Sequence, residues 1–198
     1  MITIIIFVVI AYLCGSLSNA IIVCKLLGLP DPRIEGSGNP GTANVLRIAG
    51  KKAAALVLLG DALKGFIPVV VARIFNVDGL ALGLVAIAAV IGHIYPIFFK
   101  FKGGKGVATF LGTTFALSPI VGIAFILTWL IVAFLSRYAS LASLISSILS
   151  IIYIFIFSKF AYLIPILAII ALIIWKHRGN IQRLLAGTES KINLKTKD

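Results

Sequence analysis

Val107-Ala-Thr-Phe-Leu-Gly-Thr-Thr-Phe-Ala-Leu-Ser-Pro-Ile-Val-Gly-Ile-Ala-Phe-Ile-Leu-Thr-Trp-Leu-Ile-Val-Ala-Phe-Leu135 is a charge-free apolar run, too long for one membrane span, with Ser118-Pro119 inside it. An α-helix needs about 17–25 residues to cross roughly 30 Å of hydrocarbon. Read as one helix, the run puts the basic tail (Lys176, Arg178, Arg183, Lys191, Lys195, Lys197) on the face opposite loops 25–52 and 100–106. Read as two embedded pieces broken at Ser118-Pro119, it returns the tail to the face of those loops. Arg137 then joins them, and only Arg73 and Lys159 stay near the other face. Basic residues in short loops favour the cytoplasmic side, so the second reading is preferred. It predicts an all-α integral membrane protein of about seven transmembrane helices, N-terminus outside and C-terminus cytoplasmic, with a short broken helix near 107–117. Such a helix rises only about 16 Å and must be shielded by protein or line a cavity.

The rest of the chain agrees. Its 198 residues are 61% hydrophobic, and the mean hydropathy is +1.15. These values exclude an ordinary water-soluble domain and suit a single polytopic unit over 1–198. Further spans are expected near 2–24, 53–75, 79–99, 138–157 and 161–175. The run Met1 to Val23 has no basic stretch ahead of it and is too long for a signal peptide, so it reads as a retained span. The net charge of +12 sits in short loops beside spans, which argues against nucleic acid and for the lipid bilayer and anionic substrates as partners. Cys14 and Cys24 lie about 15 Å apart along the first helix and read as free apolar fillers.

Two glycine-rich stretches carry the chemistry. Gly36-Ser-Gly-Asn-Pro-Gly41 spells the dinucleotide fingerprint, but that motif needs a βαβ unit that cannot form between two spans. Ser37, Gly38, Asn39, Gly41, Thr42 and Asn44 instead crowd polar groups among glycines where a backbone can approach an anion. Arg47 follows, with a planar fork suited to phosphate. Gly103-Gly-Lys-Gly106 is not a Walker A loop, because Phe99 and Gly106 stand at decisive positions. Gly103, Gly104, Lys105 and Gly106 open a helix whose free N–H groups and dipole suit a phosphate. No metal and no cofactor is expected.

Other polar residues read less sharply. His93, in Gly92-His-Ile-Tyr-Pro96, is either a buried histidine bonded to a carbonyl or a functional one. Asp61 and Lys64, at i and i+3 inside a span, read as a structural ion pair between helices. Ser140, Ser143, Ser147 and Ser150 share a face suited to close helix packing, and only Ser140 and Ser143 are placed to reach a substrate. His177 and Asn180 fall on one helical face at the membrane exit.

Three long stretches, in order and in register, are similar to the signatures of the bacterial acyl-phosphate:glycerol-3-phosphate acyltransferases. The first is Asp31-Pro-Arg-Ile-Glu-Gly-Ser-Gly-Asn-Pro-Gly-Thr-Ala-Asn-Val-Leu-Arg47. The second joins Gly92-His-Ile-Tyr-Pro96 to Phe101-Lys-Gly-Gly-Lys-Gly-Val-Ala-Thr109, and the third is His177-Arg-Gly-Asn-Ile-Gln-Arg-Leu-Leu-Ala-Gly-Thr-Glu-Ser-Lys191. The resemblance implies a bacterial inner-membrane enzyme working at the cytoplasmic face. It would move a fatty acyl group from acyl phosphate to glycerol 3-phosphate. A soluble enzyme that makes the acyl phosphate would be a further partner. Substrate recognition is carried over to Ser37, the adjoining glycines, Arg47, the residues 103–106, His177, Asn180 and Glu189. Direct transfer without an acyl-enzyme is expected, with His177, Lys105, Arg47 and Asn180 as catalytic groups. A carrier for phosphate or organophosphates is the rival reading, since broken helices serve transporters too.

Overall fold

A computed structural model describes residues 1–192, so Lys195 and Lys197 lie outside the described residues. The described chain is helical throughout: α1 (Ile2–Gly15), α2 (Asn19–Leu26), α3 (Thr42–Ile74), α4 (Gly79–Ile94), α5 (Val107–Leu117), α6 (Pro119–Ser136), α7 (Ala139–Phe157), α8 (Leu163–Lys176) and α9 (Arg178–Leu185). Four helical stretches are long and apolar enough to span. There are up to six if the bent pairs α1–α2 and Phe160–Lys176 with α9 each count once, and α5 is the additional short piece. The seven expected membrane helices are these six and the half-length α5.

The Ser118-Pro119 break is present, and proline starts α6 where its missing N–H costs nothing. It lies at the end of the bundle where Arg73, Asp78, Lys159 and Tyr162 also gather around a cleft of about 880 Å³. The α5 helix therefore covers the half of the bundle next to that end. At its other end, Gly106 is buried and packs against Val90 and Ile94, so turn 103–106 reaches inward. The turn supplies the depth that the short helix lacks.

Three expectations needed correction. The first span, expected as one helix over 2–24, breaks between α1 and α2 with a 42° bend. Loop 25–52 is helical from Thr42 onward, and Gly50 (φ 80°, ψ −177°) kinks that arm against the span proper. The Asp61–Lys64 pair, expected between helices, is formed within α3 at 2.8 Å. These corrections are connected. Lys64 also donates to the carbonyl of Leu17 at 2.6 Å, an oxygen that the α1–α2 break releases, and Asn19 donates to Asp61 at 3.0 Å.

Helices approach closely where glycine removes the side chain. A Cβ on Gly112 of α5 would lie 1.9 Å from the carbonyl oxygen of Ala62 and 3.0 Å from the amide nitrogen of Phe66, both α3 backbone. Small residues at such crossings allow the van der Waals packing that holds helices together in lipid. Gly112→Ala should therefore force α5 away from α3 and destabilise the fold by about 1–3 kcal/mol. A lowered unfolding midpoint in detergent, relative to the parent protein, is the expected result.

Candidate active site

The site is built at the end of the bundle opposite the Ser118-Pro119 break. Residues 30–41 form a loop folded over the start of α3, and Asn44 holds it from below. The Asn44 side chain accepts from the Ser37 amide at 2.8 Å and donates to the carbonyls of Pro32 and Glu35 at 2.9 Å each. Gly36 and Gly38 occupy the left-handed region (φ 62° and 69°), which glycine enters without a Cβ penalty. Gly41 caps α3, and the first amides beyond it have no helical acceptor. The Thr42 hydroxyl is buried with no protein partner among the described residues.

Turn 103–106 meets this loop directly. A Cβ on Gly104 would sit 3.2 Å from the Pro40 carbonyl oxygen. A cleft of about 340 Å³ runs along the seam, lined by residues 37–40 and Gly103 with the cations Arg33 and Lys102. Neither cation stood among the expected site residues. The Arg33 guanidinium is partly neutralised by Asp31 at 2.6 Å, which holds that carboxyl below its ordinary range.

The third element is α9. Lys105 donates to the side-chain oxygen of Asn180, and Asn180 donates to Glu189 at 2.6 Å. Ser140, at the start of α7, donates to the same carboxylate oxygen at 2.7 Å, and Arg183 donates to the other at 2.7 Å. Glu189 thereby ties the turn, α7 and α9 into one network, and its three donors hold its pKa down against the opposing effect of burial. Burial pushes Lys105 down to about 8; Glu189 opposes that shift, while Arg183, Lys176 and Arg47 add to it. Arg47, exposed on α3, is thus among the cations whose charge acts on Lys105.

His177 lies at the break between α8 and α9, beyond the last residue of the spanning helix. Its Nδ1 is 2.8 Å from the carbonyl oxygen of Ile173, so Nδ1 carries a proton and donates. Desolvation, with Lys105 nearby, drives its pKa down to about 4. At neutral pH the ring is therefore uncharged and presents Nε2 as an acceptor. Not every expected residue faces the site in the same way. Ser143 donates to the carbonyl of Ala139 and accepts from Trp129 at 3.1 Å, so its hydroxyl joins α7 to α6.

With this geometry in view, known proteins give the family. The sequence profile of the family described as glycerol-3-phosphate acyltransferase matches residues 5–187. The chain belongs to that family. It is 52% identical over 190 residues to the glycerol-3-phosphate acyltransferase of Coxiella burnetii (strain Dugway 5J108-111), covering 96% of this chain and 98% of that one. It is 50% identical over 187 residues to the enzyme of the same name from Francisella tularensis subsp. holarctica (strain FTNF002-00 / FTA), covering 94% and 92%. The crystal structure of PlsY (YgiH), an integral membrane glycerol 3-phosphate acyltransferase, in its glycerol 3-phosphate form superposes with a TM-score of 0.91 at 44% identity, covering 96% of each chain. The lysophosphatidic acid form gives 0.89 at 43%, covering 96% and 95%. An acyltransferase embedded in a membrane by several apolar helices is thereby established.

Within the acyltransferase, Arg183 and Lys176 extend the expected site list, and Ser140, already placed to reach a substrate, gains a partner. Their signal was positional: Ser140 begins a serine face and Arg183 shares the His177 stretch. Only the fold shows that both meet Glu189. Hydrogen bonds to a charged acceptor contribute about 1.5–3 kcal/mol. Glu189→Ala should lower stability by roughly that amount, because Asn180 and Ser140 are buried and would lose their acceptor. Glu189→Gln, which keeps one oxygen, should recover part of the loss in the same thermal unfolding measurement.

Proposed function

We propose that this chain transfers a fatty acyl group from acyl phosphate to glycerol 3-phosphate, yielding 1-acylglycerol 3-phosphate and inorganic phosphate. This is the first acylation of phospholipid synthesis. The observation that carries the reading is the run Lys105–Asn180–Glu189, with His177 alongside and two glycine-rich loops in contact, all at one end of an apolar bundle. The relatives named for glycerol 3-phosphate acylation supply the acceptor. The donor is the one that the resemblance of the three motifs implies. An acyl phosphate brings a second phosphate, and a second cationic seam with Arg33 and Lys102 suits it. Its chain would lie among the apolar helices.

The primary hydroxyl of glycerol 3-phosphate attacks the acyl carbon, the carbon–oxygen bond to phosphate breaks, and inorganic phosphate leaves. The donor is already activated, so no protein nucleophile is required. Lys105, Arg47, His177 and Asn180 orient the acceptor, and such positioning lowers a barrier by up to about 7–11 kcal/mol. Backbone N–H groups of the turn stabilise the developing oxyanion. A histidine held near 4 is a weak base at neutral pH. A substrate phosphate oxygen, with a second pKa of about 6, is therefore the better proton acceptor. The basic loops 25–52 and 100–106 and the tail support a placement of this face toward the cytoplasm of a bacterial inner membrane.

Two measurements test this reading. Purified protein in detergent should make lysophosphatidic acid and phosphate from acyl phosphate and glycerol 3-phosphate. Product formed from acyl thioesters but not from acyl phosphate would overturn the donor. The second measurement uses Lys105, whose charged form binds phosphate and predominates below about pH 8. Raising the pH through that value removes the charge, so KM for glycerol 3-phosphate should be flat near pH 7 and rise above 8. In Lys105→Arg the cation persists across the range, and the rise should disappear.

A further inference from the structure

The mechanism leaves one group of ionisable side chains unused, and it lies directly beneath turn 103–106. Asp61, Lys64 and His93 are all buried, with 2%, 7% and 6% exposure. Asp61 is gripped by Lys64 at 2.8 Å and by Asn19 at 3.0 Å, and His93 presents Nδ1 to the same carboxylate at 3.7 Å. The opposite edge of that imidazole supports the turn. A Cβ on Gly104 would fall 2.2 Å from Nε2 and 2.9 Å from Cε1 of His93. The backbone of the same residue adds a tie: the Gly104 amide donates to the Gly104-facing carbonyl of His93 at 3.2 Å. Gly103 is seated alongside, where a Cβ would meet that same carbonyl oxygen at 2.0 Å.

We propose that His93 is a positioning residue for phosphate binding: its ring, fixed from behind by the Asp61–Lys64–Asn19 cluster, is the wall that sets the depth of turn 103–106 and hence the place of the Lys105 ammonium. The cluster has no route to a substrate of its own, since turn 103–106 covers it. The carboxylate, itself held by Lys64 and Asn19, backs the ring by packing and charge, since Nδ1 stands 3.7 Å from it and makes no hydrogen bond among the described residues. Lys105 is the residue after Gly104, and displacement of the turn moves its contact with Asn180. The cluster thus governs affinity for the phosphate of the acceptor without touching it.

This inference rests on the proposed reaction, so the parent protein is the control: without acyl transfer to glycerol 3-phosphate in the parent, the reaction itself is wrong. With an active parent, three variants decide the matter: His93→Ala, Gly104→Ala and the double variant. KM for glycerol 3-phosphate, kcat and the unfolding midpoint are measured on each. A misplacement of about 1 Å costs up to on the order of a hundredfold. Each single variant should raise KM by about tenfold or more with a smaller change in kcat. In the double variant the new methyl fills space left by the ring, so KM should fall well below that of Gly104→Ala. The proposal is overturned if the two single losses multiply in the double variant. It is equally overturned if His93→Ala lowers the unfolding midpoint but leaves KM at the parent value. Should Gly104→Ala not accumulate as folded protein, the KM of His93→Ala alone decides, in the same two directions.

Discussion

A chain that interrupts its helices inside a bilayer frees backbone carbonyls where no water can reach them, and each must be satisfied from within. The long helix α3 meets that demand twice. Lys64 caps the Leu17 carbonyl at the α1–α2 break, and Arg73 donates to the Leu117 carbonyl at the α5–α6 break at 2.9 Å. The third break is capped locally, by His177 on the Ile173 carbonyl. Cations at helix C-termini also meet the negative end of the helix dipole. An ionisable side chain buried in a span thus has a backbone reason for being there.

Those breaks are what make a site at one end of an otherwise apolar bundle. Because α5 is short, turn 103–106 folds inward and carries Lys105 with it. Because α8 ends at His177, α9 turns away by 58° and brings Asn180 over the turn. Glu189 then fastens both to α7 through Ser140. At the other end the polar groups satisfy one another: Asp78 pairs with Lys159 and accepts from Tyr162 at 2.6 Å, while Arg73 reaches Tyr162 at 3.4 Å. That larger cleft is closed electrostatically. The smaller one retains Lys102 and the amide groups of the loop.

Much of this could be read from the residues. The excess length of 107–135 and its Ser-Pro dipeptide identified a break, and the position of the basic residues counted the spans. Glycines among polar residues ahead of Arg47, and glycines around Lys105, marked the two candidate cradles. What could not be read was depth and partnership. Periodicity gave no sign of the α1–α2 break, because Ser16-Leu-Ser18 carries no charge and no proline, and two serines alone do not stop a helix. The capping role of Lys64 was hidden for the same reason, since its acceptor is a carbonyl 47 residues away. The side chains of Asn44 and Ser143 look like ligand-binding groups in sequence. Only packing shows that one supports the loop and the other joins α6 to α7.

The charge arrangement bears on how the reaction proceeds. In the proposed reaction two phosphorylated substrates would bring several negative charges into a small space, and repulsion between them would oppose their meeting. The charges of Arg183, Lys176 and Arg47 act on Lys105, and one carboxylate, Glu189, opposes them, with both its oxygens already occupied by donors. The site carries a surplus of positive charge, and burial first, then the repulsion of those cations, lowers the pKa of Lys105. An arriving phosphate relieves that repulsion, so binding and protonation of Lys105 reinforce each other. If the donor is the acyl phosphate proposed above, breaking its anhydride bond would move charge onto the departing phosphate inside the same cationic surround. In the proposed reaction such a site would assist transfer by placement and field, with a substrate phosphate oxygen as the proton acceptor.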